Sequence, residues 1–261
     1  MKQVRYNYKT RVTFSDAIHS HFFLLRCTPQ QNGYQQVIME KCHVYPQENI
    51  RTATDSLGNK MYSGFIGDRH NYFEFEASGE VKLSDSYVLD EKLNRLYLYP
   101  SVYTRPDTAI LELLNAASLN ADDSVTDKVV KLSDALYRSL EYSPQTTDIN
   151  TTAAQALKIG KGVCQDYTHL LISLCRSAGI AARYVAGLIE GEGYTHAWVE
   201  YYDKGYWRAI DPTHNRLIET GYIKLSHGRD YDDCSIERGV FSGIVQQQLE
   251  VQLTVGVNEC Q

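Results

Sequence analysis

Cys164, His196 and Asp211 come in that order along the chain, each in a setting that suits one role in thiol acyl-transfer chemistry. Residues Gly160 to Leu171 read GKGVCQDYTHLL and continue ISLCRSAGI. From Cys164 onward the apolar positions Tyr167, Leu170, Leu171, Leu174, Cys175 and Ala178 recur at helical spacing. Gly179 predicts the end of that helix, and Gly160 and Gly162 predict a tight turn into it. Cys164 therefore falls in the first helical turn, on the inward stripe. The free N–H groups and partial positive charge of a helix start favour thiolate over thiol. The same N–H groups are the natural first half of an oxyanion hole.

The histidine and the carboxylate sit on two strand-like runs. Thr195 to Tyr202 reads THAWVEYY, and Gly205 to Asp211 reads GYWRAID, followed by Pro212. Asp203-Lys204-Gly205 between them is turn chemistry. In the simplest register the loop is Asp203-Lys204, and Tyr202 pairs with Gly205. His196 then stands directly opposite Asp211, with Cβ atoms roughly 5 Å apart. A one-residue change in the loop leaves them diagonal neighbours. Either way the carboxylate can hold the imidazole in one tautomer and stabilise it when charged. Pro212 ends the strand.

Taken singly, each residue has a plainer reading: a small buried hydrophobe, a core histidine, a strand terminator. Cys175 is read as that buried hydrophobe. The joint setting is what points to catalysis. Around the three, Asp166 could cap local N–H groups or pair with Arg183, and its role is read as structural support. Gln165 could line the pocket, and its backbone N–H is a further oxyanion candidate. Tyr194 could line a substrate groove. Trp198, two residues after His196 on the same strand face, is expected to pack near the imidazole and limit water. His169, about 500° around the helix from Cys164, is read as structural. His214, three residues past Asp211, is the rival histidine; it reads as a loop residue and ranks below His196. The Gly191-Glu192-Gly193 run lacks a Walker-type Lys-Ser/Thr and reads as a loop, not a phosphate cradle.

These stretches resemble the transglutaminase-like superfamily, in particular a bacterial branch of candidate cysteine proteases. The matching segments are GKGVCQDYTHLL, AARYVAGL (Ala181 to Leu188), THAWVEYY, WRAIDPTHN (Trp207 to Asn215) and GRDYDDCSIERG (Gly228 to Gly239). The resemblance is firm from near Pro106 onward. It is looser before that, where it rests on DSLGN (Asp55 to Asn59) and strand order. It implies that Cys164 is the nucleophile, His196 the general base and acid, and Asp211 the residue orienting the histidine. It also implies a papain-like core with permuted chain order, cysteine before histidine. Ile236 stands where that branch often has proline, which bears only on local loop shape.

The expected function is a cysteine-nucleophile enzyme acting on an amide bond through a thioester, with hydrolysis of a peptide or isopeptide bond favoured. Transfer to an amine, as in a transglutaminase, needs the same triad and stays open. The reading from another class is a peptide-binding scaffold that retains an unused triad. No cofactor or metal is expected: there is no CxxC pair, HExxH motif or DxDxDG-type loop. The expected partner is a peptide or protein substrate; the sequence leaves the oligomeric state open. Net charge is −6, from 26 basic and 32 acidic residues with no basic block, which argues against nucleic acid and anionic membranes. MKQVRYNYKT lacks an apolar stretch of signal-peptide length, and no apolar run of about 18 residues follows. A cytoplasmic protein is expected, and a reducing compartment suits a working thiol.

A hydrophobic content of 43% supports packed cores. Val4, Tyr6, Tyr8, Val12 and Phe14 alternate with polar residues, which predicts a half-buried strand. Further strands are expected at 21–27, 35–44, 60–66, 72–77 and 80–83, the last two parted by a turn at Ser78-Gly79. This predicts an antiparallel β-sandwich over residues 1–85. Residues 86–105 read as a connector, and 106–261 as the catalytic domain. Pro106 opens a helix over Thr108 to Ala117; Ser124 caps a second, and Thr151 or Thr152 a third. Helices followed by antiparallel strands give an α+β fold. The 20 tyrosines against 7 phenylalanines fit half-exposed strands.

Overall fold

The structure is a computed structural model and describes residues 1–46 and 49–257. The first half is β: β1 (Lys2–Leu25), β2 (Gln35–Tyr45), β3 (Arg51–Thr54), β4 (Lys60–Ile66) and β5 (His70–Leu83). A mixed region follows, with α1 (Thr108–Ala116), α2 (Val125–Ser139), β6 (Glu141–Tyr142), α3 (Ala153–Ile159), β7 (Lys161–Gly162) and α4 (Cys164–Ser177). Then come β8 (Ala182–Ile189), β9 (Thr195–Asp203), β10 (Tyr206–Asp211), β11 (Arg216–Leu217) and β12 (Tyr222–Gly228). The described chain closes with α5 (Tyr231–Cys234), β13 (Glu237–Ser242) and β14 (Gln247–Val257). This is the α+β class expected.

The N-terminal region is one seven-stranded antiparallel sheet built on β1. As expected, Val4, Tyr6, Tyr8, Val12 and Phe14 alternate inward. The strands predicted at Val4 to Phe14 and at His21 to Cys27 are a single strand, bent near Ser20, where φ is 51° and the register shifts. Its first arm pairs with β5 and β14, its second with β4 and β13. The two expected sheets are thus arms of one sheet. No turn breaks β5 at Ser78-Gly79. A Cβ at Gly79 would lie 2.2 Å from the Met39 carbonyl oxygen and 2.9 Å from the Tyr6 ring, so this glycine serves close strand approach.

The domain division also needs correction. β13 and β14 belong by sequence to the expected 106–261 unit, yet both pair with β1. Long edges of β1 would otherwise expose unpaired backbone groups, and the C-terminal strands cover them. The connector crosses between the halves: Leu89 exchanges backbone hydrogen bonds of 3.0 and 2.9 Å with Trp207.

The second half starts with well-capped helices. The Asp107 carboxylate caps α1, accepting from the Ile110 N–H. Ser124 with Asp127, and Thr152 with Gln155, form capping boxes on α2 and α3. The sheet behind them runs β11-β10-β9-β8-β12. One face, with Tyr184, Ala186, Ala197, Val199 and Ile210, packs on α4 and the other helices. The opposite face, with Val185, Trp198, Trp207 and Tyr222, shares a core with the N-terminal sheet. α4 presents its N-terminus at the end of this sheet where β9 begins.

Candidate active site

Local sequence sets the position of Cys164. Gly160 takes φ 73° and ends α3, a conformation glycine adopts cheaply. Gly162 gives space to Asp166: a Cβ there would lie 2.8 Å from its carboxylate oxygen. Asp166 Oδ2 accepts from the Val163 N–H at 2.8 Å and the Thr147 hydroxyl at 2.7 Å. Asp166 thereby caps the helix that starts at Cys164, one of the two roles expected for it. The Cys164 and Gln165 N–H groups precede Asp166, the first to donate within the helix, to the Val163 carbonyl at 2.9 Å, and so are the free donors of the helix start. Cys164 itself is half-buried.

The β9–β10 hairpin forms, but its register differs from the simplest one. Asp203 pairs with Tyr206 and Val199 with Ile210, so the turn is Lys204-Gly205. Both take left-handed backbone angles, φ 49° and 94°, as a type I′ turn requires. Glycine in the second turn position decides this. One step beyond the last pair, Asp211 faces Trp198, and His196 is its diagonal neighbour. His196 Nε2 and Asp211 Oδ2 still meet at 2.9 Å. Both residues are buried, Asp211 completely.

The Cys164 thiol, at the start of α4, lies close enough to His196 to act on its charge. Burial opposes the charged imidazole. The hydrogen bonds to Asp211 and Cys164, with the charge of each, outweigh it and raise His196 to about 10. Burial likewise opposes the Asp211 carboxylate. Hydrogen bonds from His196, His214 and Tyr222 overcome that and hold its carboxyl well below the ordinary range. The ring is thus poised as imidazolium between a sulfur and a carboxylate.

Asp211 has more partners than the sequence foretold. Its Oδ2 also accepts from His214 Nδ1 at 2.7 Å and from the Tyr222 hydroxyl at 2.7 Å. Its Oδ1 accepts from the Thr213 and His214 N–H groups at 2.9 and 3.2 Å. The last two form the Asx-type turn that Asp-Pro-Thr signals. His214, ranked low, is therefore part of the site, its ring 5.4 Å from that of His196. Tyr222 carried no local signal. It lies on β12, separated from β9 by β8, and the Arg216 guanidinium donates to its hydroxyl at 2.8 Å. His196, Asp211 and His214 bring ligand-type atoms within 4.8 Å of one another. Those atoms on His196, Asp211 and His214 Nδ1 are already joined by hydrogen bonds.

The remaining expected residues divide. Trp198 is fully buried and packs edge-on to Tyr222 at 5.3 Å, so it supports the site through that ring. Gln165 turns its side chain to the Ile149 carbonyl at 3.1 Å. Tyr194 is 77% exposed in the loop before β9. Arg183 does not meet Asp166. It pairs with Glu200 and Glu91 and stacks 4.1 Å over Trp207. It lies on β8, on the sheet face away from α4, so Asp166 at the helix start is out of its reach. Cys175 is fully buried, and burial pushes its thiol up to about 12. His169 is buried too, accepting from the Tyr231 N–H at 3.1 Å, and burial lowers it to about 3.

Comparison with known proteins bears on this geometry. The model of the transglutaminase-like superfamily matches residues 114–212, a span that holds Cys164, His196 and Asp211. The model of the bacterial transglutaminase-like N-terminal region matches residues 4–82. The uncharacterized protein Rv2569c of Mycobacterium tuberculosis is 32% identical over 276 residues, covering 90% of this chain and 86% of its own. The chain belongs to the transglutaminase-like superfamily. A second relative of this transglutaminase-like protein, ML0607 of Mycobacterium leprae, is 26% identical over 282 residues, 98% of this chain and 99% of its own. A crystal structure from Cytophaga hutchinsonii, named as a candidate cysteine protease, superposes with a TM-score of 0.77. It is 21% identical and covers 100% of this chain and 93% of that one, so the fold is shared from end to end. The expected fold, a papain-like transglutaminase core behind a β-rich N-terminal region, is the one found.

Proposed function

We propose that this transglutaminase-like protein is a Cys-His-Asp thiol enzyme that cleaves amide bonds in peptides or proteins through a thioester. The observation that carries this reading is the buried His196 imidazole, its Nε2 2.9 Å from Asp211 Oδ2, near enough to Cys164 at the helix start for that thiol to act on its charge.

The chemistry follows from that arrangement. With the proton already on the ring, the Cys164 sulfur attacks the amide carbonyl as thiolate. The oxyanion is met by N–H groups at the start of α4, where loss of one donor costs on the order of 3 kcal/mol of barrier. His196 then gives its proton to the leaving amine, the C–N bond breaks, and a thioester remains. Neutral His196 next takes a proton from the acyl acceptor as that acceptor attacks. We favour water as acceptor, because Cys164 at the start of α4 is only half-buried, which leaves a thioester on it within reach of solvent. We place the reaction in a reducing compartment, the cytoplasm, on the requirement for a free thiol. Among the described residues no helix is long and apolar enough to cross a membrane.

The test is mass spectrometry of a peptide library incubated with the enzyme, with and without methylamine. Shorter products that vanish in Cys164→Ala support hydrolysis. Methylamide adducts in place of free acids move the reading to amine transfer. Neither product, together with no labelling of Cys164 by a thiol-directed peptide probe, would sink the enzyme reading in favour of a binding scaffold.

A further inference from the structure

Cys27 and Cys42 lie in the N-terminal region, and the amide chemistry uses neither. Cys27 follows the end of β1. Cys42 sits in β2, the edge strand of the other arm of the bent sheet. Their sulfurs are 3.6 Å apart. That is van der Waals contact, against about 2.05 Å for a covalent bond, a gap that small side-chain rotations can close. Cys27 is fully buried, while Cys42, packed against the same core, is half-buried and the more accessible of the two.

We propose that Cys27 and Cys42 are a reversible disulfide site, oxidised by a small-molecule disulfide, that staples the two arms of the N-terminal sheet together. The two thiols have different parts in it. The hydrogen bond between them, together with burial, keeps Cys27 protonated well above the ordinary thiol value. The same bond draws Cys42 below that value against its own burial. Cys42 is therefore both the more accessible sulfur and the one that ionises first. As thiolate it attacks one sulfur of glutathione disulfide; the S–S bond breaks and one glutathione thiolate leaves. Cys27 then gives its proton to solvent and attacks the Cys42 sulfur, expelling the second glutathione thiolate. Two protein thiols are oxidised, and one small disulfide is reduced to two thiols. The contact between the sulfurs makes the second step intramolecular, so the mixed disulfide is resolved rather than retained.

The staple lies beside the joint between the halves. Arg26, next to Cys27, donates to Asp55 at 3.1 Å, and its backbone N–H donates to the Ile236 carbonyl at 2.8 Å. The bridge would close a loop of sequence separation 15. By the chain-entropy argument this raises Tm by roughly 5–10 °C.

The experiment treats the full chain with glutathione disulfide, traps free thiols with iodoacetamide and maps peptides. It is run on wild type, Cys164→Ser and Cys42→Ser, with Tm compared before and after treatment within each protein. The expected result is a Cys27–Cys42 linked peptide and a raised Tm in the first two, reversed by dithiothreitol, and no Tm rise in Cys42→Ser. Lasting glutathione on Cys42 with Cys27 free, a link between other cysteines, or a link that leaves Tm unchanged would each overturn the proposal. The outcome is independent of the amide chemistry, because Cys164→Ser must behave as wild type.

Discussion

At the scale of single residues, the site is an imidazole beside a buried carboxylate and a cysteine. Asp211 accepts three hydrogen bonds on one oxygen, from His196, His214 and Tyr222. Asp211→Asn should leave the fold intact and lower kcat by roughly 10³–10⁴, since an amide cannot stabilise the imidazolium. Tyr222→Phe removes a hydrogen bond to the Asp211 carboxylate, worth about 1.5–3 kcal/mol for a charged acceptor, and should cost roughly 10–100-fold. Turnover of a fluorogenic amide measures both. The pH dependence has a defined sign. His196 is raised to about 10, so its contribution to stability is full below the unfolded value of about 6.5 and is lost as pH rises through 10. Turnover should fall over the same upper limb, because the neutral ring has no proton for the leaving amine. In Asp211→Asn that fall should move to lower pH. Alkylation offers a separate check. Cys175 is buried with its thiol pushed up to about 12, so iodoacetamide should modify Cys164 before Cys175 in folded protein. Equal rates would count against a working thiolate.

Secondary-structure elements decide how closely those residues meet. The β8–β9 pair sets Gly187 across from His196. A Cβ at Gly187 would lie 2.2 Å from the Ile223 carbonyl oxygen and 2.3 Å from the Trp198 indole. Gly187→Ala should therefore force β8, β12 and the indole apart, at about 1–3 kcal/mol. Thermal unfolding should show a Tm lower by several degrees, and kcat should drop with it, since His196 is displaced. A raised KM with kcat unchanged would speak for a groove effect instead. The Lys204-Gly205 turn shows the limits of reading an element from its pattern. Strand identity came from aromatic and β-branched residues, but register depended on which pair took left-handed angles. Two loop choices differed by a step in register and kept both residues on one face.

Across the whole molecule, the N-terminal region holds the edge of the catalytic sheet. The Gln35 amide accepts from the Lys224 N–H at 2.9 Å and donates to its carbonyl at 2.7 Å. Asn59 does the same to His227, with both bonds at 2.8 Å. Two amide side chains thus continue the strand ladder along β12. Asn59→Ala should leave buried backbone groups unpaired at about 1–3 kcal/mol each, and speed hydrogen exchange at the His227 N–H. A chain starting at Pro106 would uncover Trp198, Trp207 and Tyr222, which are 0%, 0% and 3% exposed. We expect it to be insoluble, with soluble yield as the measure.

The sequence by itself determined the cysteine helix, the histidine hairpin and the capped helices. Those rest on periodicity, glycine turns and caps, which are local and survive without the rest of the chain. It also determined that His196 and Asp211 share a face, because parity along a strand is local. Only tertiary structure decided that Tyr222 would complete the carboxylate, that Arg183 would pair with Glu200, and that β13 and β14 would return to β1. Each of those joins residues far apart in the chain across a packed core, and no short-range pattern encodes which distant edge or charge will be nearest once the cores close.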